Sequence, residues 1–268
     1  AAKITKFSSF GALFDGFFGA RERAASMRSR CHDMESIITS AKNKLGRKIP
    51  QLEAELKECD EMDTYKLWGD LITASIYMLQ KKAAFCEVTN YYSEDLETVK
   101  IPLDSKITPS QNAAKYYKKY TKLKTAKQYL TEQIAKAKEE FSYLESVEEA
   151  MSRVENEEDI GGIRAELVHS GYVSKNGAKE KQKDRPDKGL RRYLTTLGRE
   201  FYVGRNNMQN DYLTTKFAKK SDWWFHVKGA PGSHVIMFTD GREEPSALDF
   251  TEAATVAAYN SSLSEGKN

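Results

Sequence analysis

Residues 113–151 read AAKYYKKYTKLKTAKQYLTEQIAKAKEEFSYLESVEEAM, and their apolar side chains recur in alternating steps of three and four. This spacing is the heptad repeat by which two α-helices pack along a shared apolar seam. The a and d positions of the repeat are Ala113, Tyr116, Tyr120, Leu123, Leu130, Ile134, Ala137, Phe141, Leu144 and Met151. Lys127 and Glu148 interrupt it. The stretch therefore predicts a long helix that packs against another helix.

The chain contains a candidate partner helix between about residues 20 and 60. Its seam consists of Ala24, Met27, Cys31, Met34, Ile38, Ala41, Leu45, Leu52 and Cys59. We expect a bend near Gly46 and Pro50, because proline removes a helical N–H donor and crowds the preceding turn. Two heptad helices in one chain predict an antiparallel intramolecular coiled coil over residues 20–160.

The interval at residues 62–109 is expected to form a small cap at the tip of this coiled coil. Its pattern predicts a short helix at 65–82 and a hairpin made from the segments 87–92 and 96–103. Ser110 is the expected N-cap of the second long helix.

We expect the second long helix to end near EDIGG at residues 158–162, followed by a short helix at 163–170. The segment SKNGAKEKQKDRPDKG at 174–189 has no apolar residue except Ala178, which predicts a mobile basic loop. Beyond it, strands are predicted at 191–195, 200–203, 222–227 and 233–238, and helices at 211–219 and 247–263.

The predicted fold class is therefore α+β, with a long antiparallel α-helical coiled coil and its tip cap followed by a mixed α/β domain at residues 161–268. Residues 1–19 are expected to be the end of a preceding helical region. Their aromatic sequence suggests that the chain is a piece of something longer.

The 268 residues carry a formal net charge of only +3. This net charge is too small to attract nucleic acid to the chain as a whole, so any such binding must come from locally clustered Lys and Arg. The three cysteines are too widely spaced for a disulfide framework, which favours free thiols in a reducing cytosol. No apolar run reaches the roughly 20 residues that span a bilayer. We therefore expect a cytoplasmic protein with no membrane contact.

The stretch DWWFHVKGAPGSHVIM at residues 222–237 carries the most reactive side chains for its length. One hypothesis is a hydrolytic relay made by Asp222, His226 or His234, and Ser233. However, side chains alternate between the faces of a strand, and a hairpin closed by GAPG would place His226 opposite Val235. This register puts the two histidines on different faces and disfavours the relay.

Metal binding is also disfavoured, because no CxxC or HxxxH spacing organises the histidines and cysteines, and we expect neither a metal nor a cofactor. Partly buried sheet histidines with satisfied ring nitrogens remain the alternative to a binding role for His226 and His234. Within WWF, alternate side chains should be in the core, and the remainder could offer a stacking face.

Two other segments are typical of nucleic-acid contacts. The loop VGRNNMQND at 203–211 presents Arg205 and several amides to phosphate or sugar, although Asn and Asp also favour turns for local reasons. The segment AKYYKKYTKLKTAK at 114–127 places Lys115, Lys118, Lys119 and Lys122 on one helical face. This lysine stripe suits an RNA backbone, and a merely solvated helix face is the alternative.

Several of these segments resemble the NFACT family. VGRNNMQNDYLTTKFAKKSDWWFHVKGAPGSHVIM at 203–237, with EAATVAAYNSS at 252–262, resembles the RNA-binding NFACT-R domain. IPLDSKITPSQNAAKYYKKYTKLKTA at 101–126 is similar to the family's LDP…SP…NA…YYKKY segment, with Ser105 in place of the usual proline. IRAELVHSGYV at 163–173 resembles the stretch that follows its coiled coil.

The resemblance implies a role in ribosome-associated quality control. The protein would bind a large ribosomal subunit obstructed by peptidyl-tRNA and recruit alanyl-tRNA, so that the stalled chain receives a C-terminal alanine tail. The ribosome would form the peptide bond, and the chain would be a binding module rather than an enzyme. The domain from about residue 188 would contact rRNA or tRNA, and the coiled coil would reach toward the stalk base.

The resemblance also implies that the N-terminal NFACT-N domain, and strands after the Ala-rich helix, are missing from this chain. Some family members are labelled fibronectin-binding proteins, so a fibronectin-binding surface adhesin is the alternative. The residues expected to bind RNA are Arg205, Asn206, Asn207, Asn210, Lys216, Asp222, His226, Ser233 and His234, together with the lysine stripe. Arg205 and Lys216 would meet phosphate, and Asp222 would orient a neighbouring side chain.

Overall fold

The computed structural model describes residues 8–174, 189–239 and 244–264, with the backbone alone described at 12–21, 23 and 24. Its helices are α1 (Phe10–Glu58), α2 (Met62–Ala74), α3 (Pro109–Ser152), α4 (Glu157–His169), α5 (Asn207–Tyr212) and α6 (Ala247–Tyr259). Its strands are β1 (Phe85–Thr89), β2 (Thr98–Pro102), β3 (Arg191–Leu194), β4 (Glu200–Val203), β5 (Trp223–Phe225) and β6 (Val235–Met237). The basic loop predicted at 174–189 lies, apart from its two end residues, outside the described residues.

The chain divides into two compact units. One comprises the residues up to Lys44 together with those from Glu140 onward, and we call it the sheet unit. The other, Leu45–Glu139, we call the cap unit. Long helices and two small antiparallel sheets confirm the predicted α+β class.

In the cap unit, α1 and α3 run antiparallel. Glu53 of α1 pairs with Lys138 at 2.7 Å, and Asp60, in the 3₁₀ turn Cys59–Glu61 that follows α1, pairs with Lys127 at 2.8 Å. Positions further along the chain from α1 thus meet positions earlier in α3. Lys127 is one of the two charged residues that interrupt the heptad repeat. The structure explains this interruption, because the carboxylate of Asp60, in the turn after α1, neutralises the lysine.

The hairpin of the cap unit packs against α2 and α3. β1 and β2 pair antiparallel with Cys86 opposite Ile101, and alternate residues of β1 are buried. The shared core consists of Leu71, Ile72, Cys86, Val88, Ile101, Ala113 and Tyr116. The Tyr116 hydroxyl donates a hydrogen bond to the Pro102 carbonyl at 2.5 Å and so ties β2 to α3. The predicted hairpin is therefore present, with bounds that differ by a few residues.

The start of α3 differs from the prediction. The Thr108 hydroxyl accepts a hydrogen bond from the Gln111 N–H at 3.3 Å, and the Gln111 side chain accepts one from the Thr108 N–H at 2.9 Å. Pro109 then occupies the first helical position, where its fixed φ is favourable and its missing N–H costs nothing. The prediction of Ser110 as the N-cap is wrong, because Thr108 and Gln111 form a capping box around Pro109.

In the sheet unit, four strands form an antiparallel sheet in the order β3-β4-β6-β5. On one face it packs against α6, in a core of Phe201, Val203, Val235, Met237, Ala253 and Ala257. On the other face the Phe217 ring, from a π-helical turn at Leu213–Phe217, lies 5.0 Å from Tyr202 and 5.4 Å from Phe238. Strand β6 is consequently buried on both faces.

The helices of the sheet unit correct a second prediction. Residues 158–162 do not end α3, since α3 ends at Ser152 and EDIGG lies within α4. The Asn156 side chain and Asp159 form the capping box that starts α4. A Cβ at Gly162 would lie 2.6 Å from Asn206 Nδ2, so this glycine allows a close approach of the α5 start. It marks tight packing rather than a helix end.

The second charged interruption of the heptad repeat is also paired with the neighbouring helix. Glu148 lies 2.5 Å from the ammonium of Lys42, whose charge is also 5.5 Å from the centre of the Phe141 ring.

Within the described part of the chain, no helix combines the length and the apolar character needed to cross a bilayer.

Candidate functional site

The hairpin of β5 and β6 brings His226 and His234 together. Phe225 pairs with Val235, so the next residues outward, His226 and His234, lie opposite each other, with ring centroids 5.0 Å apart. The prediction that His226 faces Val235, on the other side of the sheet from His234, is wrong. Phe225 and Val235 both pack toward α6, and this shared burial shifts the register by one residue and reverses the faces.

Trp224 completes a group of three rings, Trp224, His226 and His234, which we call the aromatic face. The Trp224 indole stacks on His226, with ring centroids 5.7 Å apart, and meets His234 edge-on, with ring centroids 5.3 Å apart. It is 53% exposed. Trp223 points the other way and packs edge-on against Phe250 at 4.9 Å. Strand alternation thus places the two tryptophans on opposite faces of the sheet, with Trp223 against Phe250 yet 42% exposed and Trp224 on the side of the histidines.

An open groove of about 600 Å³ adjoins the aromatic face. It is lined by Ser142, Tyr143, Glu145 and Ser146 of α3, by Asn207, Asn210, Asp211 and Thr214 of α5 and the following turn, by the loop at 229–232, and by His226 and His234. The lining residues include two carboxylates and neither lysine nor arginine. Its hydroxyl, amide and imidazole groups suit hydrogen bonding to neutral polar ligands.

Buried polar contacts hold the loop that lines this groove. Asn210 accepts a hydrogen bond from the His234 N–H at 2.9 Å and donates one to the Gly232 carbonyl at 3.2 Å. The Ser233 hydroxyl, which is 2% exposed, donates to the Gly204 carbonyl at 2.5 Å and accepts from Arg153 at 2.9 Å. Since Ser233 is engaged in this way, it does not form the nucleophile–base pair with a histidine that a hydrolytic relay requires.

Arg205 lies inside the sheet unit instead of on a surface open to phosphate. Its guanidinium pairs with buried Asp159 and with Glu158, and its side chain is only 13% exposed. Arg191 also approaches Asp159, at 3.8 Å. The expectation that Arg205 meets phosphate needs correction, because the two carboxylates already neutralise its charge.

The neighbouring amides also stabilise the fold. Asn206 is the N-cap of α5 and accepts a hydrogen bond from the Gln209 N–H at 2.9 Å. Asn207 donates to Glu166 from its backbone N–H at 3.1 Å and from its side chain at 2.8 Å. Burial raises the pKa of Glu166, and the bonds from Asn207 act in the opposite direction. The donors at the start of α5 are thus occupied. The amide side chains of the loop at 203–211 are therefore explained by their hydrogen bonds within the turn and the helix cap.

Asp222 and Lys216 have different surroundings. Asp222 accepts hydrogen bonds from the N–H groups of Lys219 at 2.8 Å and Thr239 at 3.2 Å, and from the Thr239 hydroxyl at 3.4 Å. It therefore orients both backbone and one neighbouring side chain next to β5. Lys216 is exposed on the π-helical turn.

The nine predicted residues therefore separate into two groups. His226, His234, Asn207 and Asn210 line the groove, and Lys216 is exposed elsewhere; Arg205, Asn206, Asp222 and Ser233 support the structure behind it. The prediction of site residues omitted Trp224 and Tyr143. Strand alternation in WWF could have identified Trp224, whereas nothing local in the sequence places Tyr143 in this groove.

The lysine stripe belongs to the cap unit, and all four of its lysines are exposed. Lys115 pairs with Asp104 at 3.1 Å, and the Lys119 ammonium lies 4.7 Å from the centre of the Tyr65 ring. Among the residues that the structure describes, Lys118 and Lys122 have no carboxylate within ion-pair distance. These two charges are the ones available to an anionic partner.

Burial lowers the pKa of both histidines of the aromatic face from the ordinary value of 6.5, and at His234 a positive charge on His226 lowers it further. The unfolded chain therefore binds more protons than the folded protein as the pH falls below about 6.5. The free energy of unfolding is at its full value above that pH and decreases as the pH falls through the folded pKa values. At neutral pH each ring is uncharged and can both donate and accept a hydrogen bond.

We expect His234→Gln to weaken this pH dependence, because the variant has one less imidazole whose protonation opposes folding. Urea unfolding at about pH 7.5 and about pH 5.5 measures the effect. The wild type should lose stability at the lower pH, and the variant should lose less. His169→Gln, at an exposed position in the last turn of α4, is the control and should behave as the wild type. Equal losses in all three proteins would contradict the expectation.

The described residues contain no group of three or more His, Cys, Asp or Glu side chains placed to hold a metal ion.

Family comparisons account for nearly the whole chain. Residues 1–186 match the family model described as NFACT N-terminal and middle domains, and residues 190–268 match the NFACT protein RNA binding domain. The Rqc2 homolog RqcH of Bacillus subtilis (strain 168) is 36% identical over 264 residues, which are 98% of this chain and 46% of that protein. The Rqc2 homolog RqcH of Streptococcus suis (strain 05ZYH33) is 36% identical over 256 residues, or 94% and 45%. The chain thus spans less than half the length of these relatives.

A solved structure has the same fold. The C-terminal part of the fibronectin/fibrinogen-binding protein from Streptococcus suis superposes with a TM-score of 0.65 at 32% identity, covering 89% of this chain and 80% of that one.

The comparisons correct one expectation and confirm another. The expectation that NFACT-N is missing is wrong, because a single model for the N-terminal and middle domains matches residues 1–186. The segments assigned above to the coiled coil and its cap fall inside that match. The resemblance of the C-terminal segments to the NFACT RNA-binding domain is confirmed over residues 190–268. The chain belongs to the NFACT family.

Proposed function

We propose that this protein is an RNA-binding part of a ribosome-associated quality control factor. The observation that carries the proposal is the aromatic face, an exposed tryptophan stacked on one neutral histidine and edge-on to a second, beside a polar groove and within residues that match an RNA binding domain. Exposed aromatic rings that can stack on bases are a common means of binding RNA.

The partners that fit this function are the large ribosomal subunit, through its rRNA near the stalk base, and tRNA. The protein would support the addition of a C-terminal alanine tail to a stalled nascent chain, in the cytoplasm and without a cofactor of its own. Peptide bond formation would belong to the ribosome, so the protein would be a binding module. Similarity to RqcH proteins supports this assignment.

We also propose that α1 and α3 form an antiparallel coiled coil within a region at 20–160, followed by an RNA-binding domain at 161–268. The heptad seams and the ion pairs Glu53–Lys138, Asp60–Lys127 and Lys42–Glu148 support this arrangement. The lysine stripe would then bind an RNA backbone through Lys118 and Lys122, whose ammonium groups, among the described residues, have neither the carboxylate partner of Lys115 nor the aromatic contacts of Lys119.

Fibronectin binding is the second candidate function, and the observation that favours it is the likeness to a solved structure of a fibronectin/fibrinogen-binding protein. The two candidates differ in their expected response to salt, since phosphate contacts release counterions and protein contacts with a large apolar component do not.

Binding of the chain to purified large ribosomal subunits and to fibronectin, each over a salt series, tests the proposal. We expect subunit binding that weakens steeply, with a slope of about −0.7 to −0.9 in log K against log salt for each phosphate contact. Salt-insensitive binding to fibronectin, with no binding to the subunit, would show that the second candidate is correct.

A further inference from the structure

We propose that the groove beside the aromatic face holds one unpaired nucleoside of an RNA, with the base against Trp224 and His226 and the sugar among the groove's hydroxyl and amide groups. This inference rests on the proposed RNA-binding function and specifies which part of an RNA the sheet unit recognises.

The exposed Trp224 ring indicates that the ligand is an unpaired base and not a base within a duplex. Trp224 is 53% exposed, and its plane is nearly parallel to that of His226, at 12°, so the two rings form a short stack that a base can extend. Bases in an A-form duplex are already stacked on both sides and expose only their edges in the grooves. A base can cover Trp224 only if it is free to leave its own stack, as in a loop, a bulge or a single strand.

The charge of the groove indicates which part of the nucleotide enters. The lining includes Glu145 and Asp211 and no basic residue, so a phosphate would be repelled. The base and the sugar are neutral and rich in hydrogen-bonding groups. The phosphates would remain outside the groove, where exposed lysines such as Lys216 and Lys228 occur on the turn after α5 and in the hairpin loop.

The hydrogen-bonding groups of the groove match those of a nucleoside. His226 and His234 are neutral at pH 7, because burial lowers their pKa, so each ring carries one donor and one acceptor. The Nδ1 atom of His234 is buried, so this ring has only its other nitrogen for a base edge. Ser142, Ser146 and Thr214 contribute hydroxyl groups to the walls. The volume of about 600 Å³ lies within the range of ordinary small-ligand pockets. The loop at 229–232 is held by Asn210 and Ser233, so this shape exists before the ligand arrives.

Fluorescence anisotropy with two labelled RNAs of about 12 nucleotides, one single-stranded and one a fully paired duplex, tests the inference. We expect the single strand to bind more tightly. Trp224→Ala should weaken single-strand binding roughly tenfold or more, the value of one base–aromatic stack, and leave duplex binding unchanged. Trp224→Phe should retain most of the affinity, since it keeps an aromatic ring. Trp223→Ala, on the opposite face against Phe250, is the matched control and should bind as the wild type.

Two outcomes distinguish the inference from the function on which it rests. If the chain binds both RNAs equally and Trp224→Ala changes neither affinity, the nucleoside site is wrong while RNA binding stands. If the chain binds neither RNA nor the large ribosomal subunit, the proposed function fails, and the nucleoside site with it. Circular dichroism of each variant verifies that the fold is retained.

Discussion

Asp159→Ala is expected to destabilise the sheet unit by about 3–5 kcal/mol, the usual cost of removing one partner from a buried ion pair. Asp159 is 6% exposed and pairs with Arg205 and Arg191. Its loss would leave two guanidinium groups without their shared carboxylate in surroundings that solvate them poorly. The same carboxylate accepts the N–H of Asn156 at 3.3 Å, so the variant also loses half of the capping box of α4.

Urea unfolding monitored by tryptophan fluorescence suits this measurement, because two of the three tryptophans, Trp223 and Trp224, lie in the sheet unit. Glu158→Ala provides the control. It removes the other carboxylate that pairs with Arg205, but this side chain is 63% exposed, and such pairs contribute about 0–1 kcal/mol. If Asp159→Ala lowers the free energy of unfolding by no more than Glu158→Ala does, Asp159 does not stabilise the sheet unit as described.

The double variant Lys118→Glu/Lys122→Glu is expected to weaken binding to large ribosomal subunits by roughly 100-fold at 0.1 M salt. Each phosphate contact contributes about 0.9 to the slope of log K against log salt, which corresponds to roughly a factor of ten at that concentration. Loss of two contacts should also reduce the slope by about 2. The lysines are exposed on α3, so the substitutions should leave the fold of the cap unit unchanged.

Lys57→Glu/Lys136→Glu is the matched control for charge. These lysines are also exposed in the cap unit but lie outside the lysine stripe, and the variant makes the same change in net charge. If the two double variants weaken binding equally, the effect is one of overall charge, and the stripe has no special role. Titrations of each variant at several salt concentrations give both the affinity and the slope.

The helical part of the molecule followed from local patterns. A heptad repeat is a property of successive residues, so α3 could be placed from the spacing of residues such as Leu130, Ile134 and Ala137, all of which are buried. Lys127 and Glu148 looked like faults in that pattern. They are sites of ion pairs with α1 and with the turn that follows it, and only the packed structure shows the carboxylate and the ammonium that neutralise them.

The candidate site was predicted less well, for a physical reason. Arg205 and Ser233 were selected for their chemical types, but chemical type does not reveal burial. Arg205 is neutralised by residues 46 and 47 positions away in the chain, and Ser233 accepts a hydrogen bond from Arg153, 80 positions away. Contacts at such separations depend on how the elements pack, which no local pattern contains.

The sequence by itself determined the long helices, the alternation that divides Trp223 from Trp224, and the resemblance to the NFACT family, because each depends on residues close together in the chain or on motifs in a fixed order. Only the tertiary structure decided that His226 faces His234. The register of β5 and β6 is set by the burial of Phe225 and Val235 against α6, and a shift of one residue moves every side chain of a strand to the other face.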